Sequence, residues 1–70
     1  MSVAKNIEIT STSEVSFEDA IKRGVERAAQ TIDNIQGAWI KEQKVTVEGG
    51  QVKGYRVMMI ITFVLADAGE

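Results

Sequence analysis

The stretch from Tyr55 to Leu65 reads Y-R-V-M-M-I-I-T-F-V-L and is apolar on both alternating faces over its second half. A strand with one solvated face alternates apolar and polar residues, whereas a strand covered on both faces does not. This stretch therefore belongs in the centre of a sheet, with cover above and below. The chain has 70 residues, enough for one small domain spanning 1–70 with an ordered core of about 4–66. It carries a single helix-like pattern, and one helix covers one face of a sheet. The other face must meet another subunit or a ligand.

Size sharpens this demand. A chain this short buries only about 60% of its unfolded surface, so its own core is marginal. Disulfides, structural metal or oligomerisation usually make up the difference. The sequence has no Cys and no His. That removes disulfides, thiolate-held zinc and the commonest general base and transition-metal ligand. Oligomerisation remains, with or without a hard cation held by oxygens.

Other classes fall away. The longest apolar run, Val57 to Leu65, is about nine residues, too short to cross a bilayer as a helix. No basic region followed by an apolar run opens the chain, so no secretory signal is expected and the expected location is cytoplasmic. The net charge is −2 at pH 7, and no Lys/Arg cluster occurs, which argues against nucleic acid. No nucleophile pairs with a His or Cys base, and no Gly-rich phosphate loop occurs, so a non-enzymatic role is expected.

The coarse organisation is strand, helix, strand, strand. Ile7 and Ile9 alternate with polar residues, predicting a first strand over about Lys5–Thr10, followed by a polar break at Ser11-Thr12-Ser13. Ser16 before Phe17-Glu18-Asp19 reads as a helix N-cap with acids in the first turn. Apolar residues from Phe17 through Ile21, Val25 and Ile32 to Ile35 form one stripe at period 3.6, predicting a helix over about 17–34. Gly24 lies on that stripe, where the simplest use of a glycine is close packing of helix on sheet. Gly37 reads as a helix exit. The second strand is expected over about Ala38–Glu48. Gly49-Gly50 forms a two-residue hairpin turn, and the third strand runs to about Leu65, with a possible bulge at Gly54. Ala66–Glu70 should fray.

Chain direction then sets topology. An all-antiparallel sheet requires the order 1-3-2, which puts the most apolar strand in the middle. The expected fold class is α+β: β-α-β-β, a three-stranded antiparallel sheet with one helix packed on one face. With Gly49-Gly50 as the turn, Gln43 opposes Arg56, Trp39 opposes Ile60 and Gly37 opposes Thr62. Val57, Met59, Ile61, Phe63 and Leu65 then lie under the helix with Ala38 and Ile40. Trp39, Lys41, Gln43, Arg56, Met58, Ile60 and Thr62 share the uncovered face.

Trp39 is the only Trp. A planar ring beside amide and guanidinium donors suits a flat aromatic ligand with polar edges, so Trp39, Gln43 and Arg56 are the binding candidates. The same residue types also suit a subunit contact, and both readings stand at this point. Glu8, Glu14, Glu18, Asp19, Glu42 and Glu48 offer hard oxygens for a cation, but without the spacing of a calcium loop. A symmetry axis can repeat a single acid, which spacing does not reveal, so the metal ligands remain unknown.

The pattern from Lys5 to Leu65 resembles the dodecin family. The resemblance rests on I-E-I-T-S-T-S-E at Ile7–Glu14, S-F-E-D-A-I at Ser16–Ile21, E-R-A-A-Q-T-I-D-N-I at Glu26–Ile35, and the terminal strand from Tyr55. It implies a hollow homododecamer of β-α-β-β units that stores small ligands, typically flavins such as riboflavin or flavin mononucleotide, without turnover. The chain departs from the flavin pattern at two places. The family's flavin-stacking Trp falls three residues after the Asp-Asn that closes the helix, where this chain has Gly37. Trp39 lies two residues later on the same strand face. The family's flavin-gripping Gln follows the Tyr that opens the last strand, where this chain has Arg56. Gln43 matches a Gln of some members. Two readings follow from the resemblance. Either Trp39 and Arg56 replace the family pair, or flavin binding is lost and the shell holds calcium or another small ligand, as in the calcium-binding branch, which also lacks the Trp and also shows Tyr-Arg.

Overall fold

The computed structural model describes residues 2–65. Its elements are β1 (Ala4–Ser13), α1 (Phe17–Ala29), β2 (Ile35–Glu48) and β3 (Gln51–Val64). The sheet is antiparallel in the order β1-β3-β2. This is the α+β topology expected from the sequence, with the apolar strand central. The expected fraying of Ala66–Glu70 lies outside the described residues.

The helix starts where its cap dictates. Ser16 is extended, with φ −170° and ψ 167°, and its hydroxyl accepts from the Asp19 amide at 2.9 Å. Glu18 and Asp19 in the first turn and Arg27 in the last complement the helix dipole. The helix ends five residues earlier than the apolar stripe suggests. Gln30, Thr31 and Ile32 amides fold back onto the Arg27 and Ala28 carbonyls, and Asn34 takes a left-handed φ of 64°, a conformation Asn tolerates. Ile32 and Ile35 still pack on the core, but from non-helical backbone. Periodicity therefore reported burial correctly and helix length incorrectly. Gly37 is not a helix exit; it lies within β2.

β1 also runs further than expected. Ser11, Thr12 and Ser13 pair with Val57, Arg56 and Tyr55. Hydroxyl residues leave strand pairing intact when a partner strand is available, so the polar break is not a chain break.

The core lies between α1 and the β1–β3 half of the sheet. Ala20, Ala28, Val57, Met59 and Ile61 are buried, with Ile7, Ile9, Phe17, Ile21 and Val25 packed around them. Val57, Met59 and Ile61 are completely buried, each worth about 1.5–3 kcal/mol. The Phe17 and Tyr55 rings meet edge to face, with centroids 5.1 Å apart. Gly24 is the close approach of helix to sheet: a Cβ there would stand 2.8 Å from Met59 Cε and 3.0 Å from Ser11 Cβ.

Gly49 and Gly50 make the hairpin turn with φ of 57° and 76°, the positive pair that a two-residue turn requires. The hairpin register shifts at three places. Thr46 pairs with Gly54 but Val47 with Val52, leaving Lys53 as the extra residue, next to the expected Gly54 bulge. Ile40 pairs with Met59 but Glu42 with Met58, leaving Lys41 extra on β2. The first shift moves β2 one step relative to β3 and the second restores it, so Trp39↔Ile60 and Gly37↔Thr62 hold. The third omits Gln36, between Ile35 and Gly37.

Candidate functional site

The helix covers β1 and β3, which leaves β2 solvated along almost its whole length. Val57, Met59 and Ile61 point to the helix, so Arg56, Met58, Ile60 and Thr62 occupy the opposite, uncovered face. Their β2 partners there are Lys44, Glu42, Trp39 and Gly37. Their β1 partners are Thr12, Thr10, Glu8 and Asn6. Trp39 is 53% exposed beside half-buried Ile60, with Met58 two residues along β3. This is an apolar strip with an aromatic edge and polar flanks.

The register corrects one expected site residue. Gln43 pairs with Val57, not with Arg56, so it lies on the helix-side face, across the sheet from Trp39. The Lys53 bulge shifts its pairing by one, and the Lys41 bulge beyond it restores the register at Trp39. A bulge sends two successive side chains to the same face, and Lys41 and Glu42 both occupy the uncovered one. Trp39 and Arg56 share that face as expected, and Gln43 does not join them.

The uncovered face is organised by two cross-strand contacts. Lys41 Nζ donates to Glu8 Oε1 at 3.0 Å, reaching across β3. The Thr62 hydroxyl donates to Asn6 Oδ1 at 2.7 Å. The exposed ion pair adds little stability, about 0–1 kcal/mol, but it holds one edge of the strip in place. Arg56 is different. Its Nε is buried with no hydrogen-bond partner, and its β2 neighbour is Lys44, another cation.

Two concavities lie elsewhere. One, of about 460 Å³, runs between α1 and the β1 edge and is lined by Ile7, Ile9, Arg27 and Ile32 among others. The other, of about 290 Å³, lies at the β1–α1 turn. There the Ser13 hydroxyl donates to Asp19 Oδ2 at 2.6 Å and Arg23 Nε donates to the same oxygen at 2.8 Å. The Ser13 bond is the largest influence holding the Asp19 carboxyl below the usual carboxylate range; desolvation opposes it, and the bond to Arg23 and its charge reinforce it. This turn consumes its own polar groups. The Trp39 strip, by contrast, is open surface on a single chain. Among the described residues no three His, Cys, Asp or Glu converge on a metal position. The described acids of one chain therefore do not by themselves form a cation cage.

Comparison with known proteins bears on this geometry. A family model described as Dodecin matches residues 3–66. A protein named calcium dodecin, from Mycobacterium tuberculosis, is 35% identical over 68 residues, 97% of this chain and 96% of that protein. Among solved structures, a variant of the Thermus thermophilus dodecin superposes with a TM-score of 0.91 at 31% identity, over 96% of this chain and 100% of that one. The Mycobacterium tuberculosis calcium dodecin, described as calcium chelating, superposes at 0.80 with 32% identity, over 97% of each chain. The backbone therefore follows the Thermus protein more closely than the calcium dodecin, at similar identity.

Proposed function

The chain belongs to the dodecin family, and from that premise we propose that it is a non-catalytic cytoplasmic protein that binds and stores a flat aromatic ligand of the flavin class. In this reading twelve copies enclose a hollow shell. The uncovered sheet faces meet inside it, and ligand sits on the Trp39–Met58–Ile60 strip. The observation that carries the reading is the state of that strip. The only Trp lies 53% exposed on a sheet face that no described element of its own chain covers, and the same face carries, four residues along β3 from the Trp39 partner Ile60, an Arg whose Nε lacks an acceptor.

The described residues fit such a ligand. An aromatic plate gains roughly 0.5–1.5 kcal/mol from stacking on Trp39 beyond the area it buries. Met58 and Ile60 supply an adjustable apolar floor. Gly37 removes the platform at the family's stacking position, and Trp39 restores one two residues along the same face.

Flavin fluorescence tests this. Riboflavin or flavin mononucleotide should be quenched on titration with the protein, and Trp39→Ala should weaken binding by roughly tenfold. Absence of quenching at high micromolar flavin removes the reading. Light scattering should give a particle twelve times the 7.7 kDa chain, and a stable monomer or dimer would refute the shell.

The second reading is a calcium-holding shell, favoured by the calcium dodecin relative. It requires carboxylates from several copies around a symmetry axis. A chelator should then lower the melting temperature, because an ion bound only to the folded state stabilises it by mass action. An unchanged transition in chelator sets this reading aside.

A further inference from the structure

We infer that the Lys41–Glu8 ion pair is a strap that closes the Trp39 strip, and that a flat ring binds there by displacing it. The inference rests on the proposed ring-binding reading and specifies how access to that site is controlled.

The register fixes where the pair lies. Glu8 stands on β1 opposite Ile60. Lys41 stands on β2, in the bulge between the Ile40–Met59 and Glu42–Met58 pairs. β3 separates these strands, so two strand spacings, roughly 10 Å, lie between their backbones. Lys41 Nζ nevertheless meets Glu8 Oε1 at 3.0 Å. Two side chains that meet across such a gap lie extended over the strand between them. Their line crosses β3 between Met58 and Ile60, both half-buried on a face that no described element covers. Trp39 flanks the same floor through its pairing with Ile60. A ring stacked on Trp39 and resting on Met58 and Ile60 takes the space that the Lys41 stem and the Glu8 carboxylate hold.

The strap is weak enough to open. The Lys41 and Glu8 side chains are 55% and 42% exposed, and a solvated pair of this kind favours its paired state by a factor of only about 1.5 to 5. A ligand that binds the open state alone has its affinity reduced by the fraction of molecules that are open. Cutting the strap should therefore tighten ring binding by about two- to sixfold. The bulge also supplies a control. It leaves Glu42 beside Lys41 on the same face, opposite Met58, so the same charge can be removed there without cutting the pair.

The experiment titrates uncharged riboflavin into wild type, Lys41→Ala, Glu8→Gln and Glu42→Gln, following flavin fluorescence. Lys41→Ala and Glu8→Gln should each bind about two- to sixfold more tightly than wild type. The double variant should gain no more than either single one, because both remove one interaction. Both side chains lie at the surface, so neither substitution touches the core. Glu42→Gln should bind no more tightly than wild type. Unchanged or weaker binding in both strap variants overturns the proposal; the ring then sits elsewhere, as beside Gly37, where an added Cβ would meet nothing within 4 Å. A gain in Lys41→Ala alone overturns the ion pair as the closure. An equal gain in Glu42→Gln marks a general charge effect and overturns it as well. If no protein in the set binds riboflavin, the ring-binding reading fails, and a measurement without ligand decides the strap. Hydrogen peroxide converts accessible methionine to the sulfoxide, and mass spectrometry reads Met58 against completely buried Met59. Met58 should oxidise faster in both strap variants, by up to about sixfold, and equal Met58 rates overturn the strap.

Discussion

Replacing Gly24 with alanine tests how tightly α1 sits on the sheet. The added Cβ would stand 2.8 Å from Met59 Cε, 3.0 Å from Ser11 Cβ and 3.3 Å from Ser11 Oγ, whereas carbon atoms pack at about 3.5–4.0 Å. Two effects oppose each other. Alanine in a helix interior is better than glycine by about 1 kcal/mol. Overpacking a filled core costs about 1–3 kcal/mol. The neighbours decide the balance. Met59 Cε ends a flexible side chain, but Met59 is completely buried, so its methyl moves only by displacing other core atoms. Ser11 Cβ is one bond from strand backbone paired with Val57 and does not swing aside. The crowding should win, with a net loss of about 1 kcal/mol and a melting temperature lower by roughly 4–8 °C for a chain this size. The assay is thermal unfolding followed by circular dichroism at one fixed protein concentration, because assembly makes the midpoint concentration-dependent. Met59→Leu in the same background should recover part of the loss, giving a coupling of about 0.5 kcal/mol or more. A Gly24→Ala protein that melts higher than wild type would show that the helix has room to spare and refute the reasoning.

Two other perturbations follow from local geometry. The Asp19 carboxyl is held below the usual range by Ser13 and then Arg23, so its contribution is fully present above the unfolded-state pKa and is lost as pH falls through the lower native one. Asp19→Asn should flatten that acid limb, below about pH 4, and urea midpoints that fall in parallel for both proteins between pH 6 and pH 2 would contradict it. At the hairpin, Gly50 has a φ of 76°, a conformation that costs a side-chain-bearing residue about 1–2 kcal/mol. Gly50→Ala should lower the melting temperature with flavin binding unchanged, because the turn is remote from the Trp39 strip, and an unaltered midpoint would argue against the two-residue turn.

Much of the architecture was legible from the amino-acid order because each signal was local. Ser16 caps the helix through its own hydroxyl, Gly49-Gly50 permits the positive φ pair, and the double-faced apolarity of β3 demands a central position, hence β1-β3-β2. The face shared by Trp39, Met58, Ile60 and Arg56 follows from period-two alternation counted back from the turn. The resemblance to the dodecin family rested on the same local runs.

What escaped the sequence depended on distant partners. Thr31 and Asn34 end the helix early because β2 must start at Ile35 to pair with Phe63, while Ile32 and Ile35 keep their apolar burial from a different backbone. Ser11–Ser13 look like a break until β3 supplies hydrogen bonds for them. The displacement of Gln43 to the helix side arises from two compensating bulges, at Lys53 and Lys41; Gly54 signals the first, and no residue type announces the second, which lets one long strand keep step with another. The unmet Nε of Arg56 is likewise a property of its surroundings. Local alternation specifies which residues alternate; only the closed sheet specifies where the alternation slips, because register is a sum over every pair in the ladder.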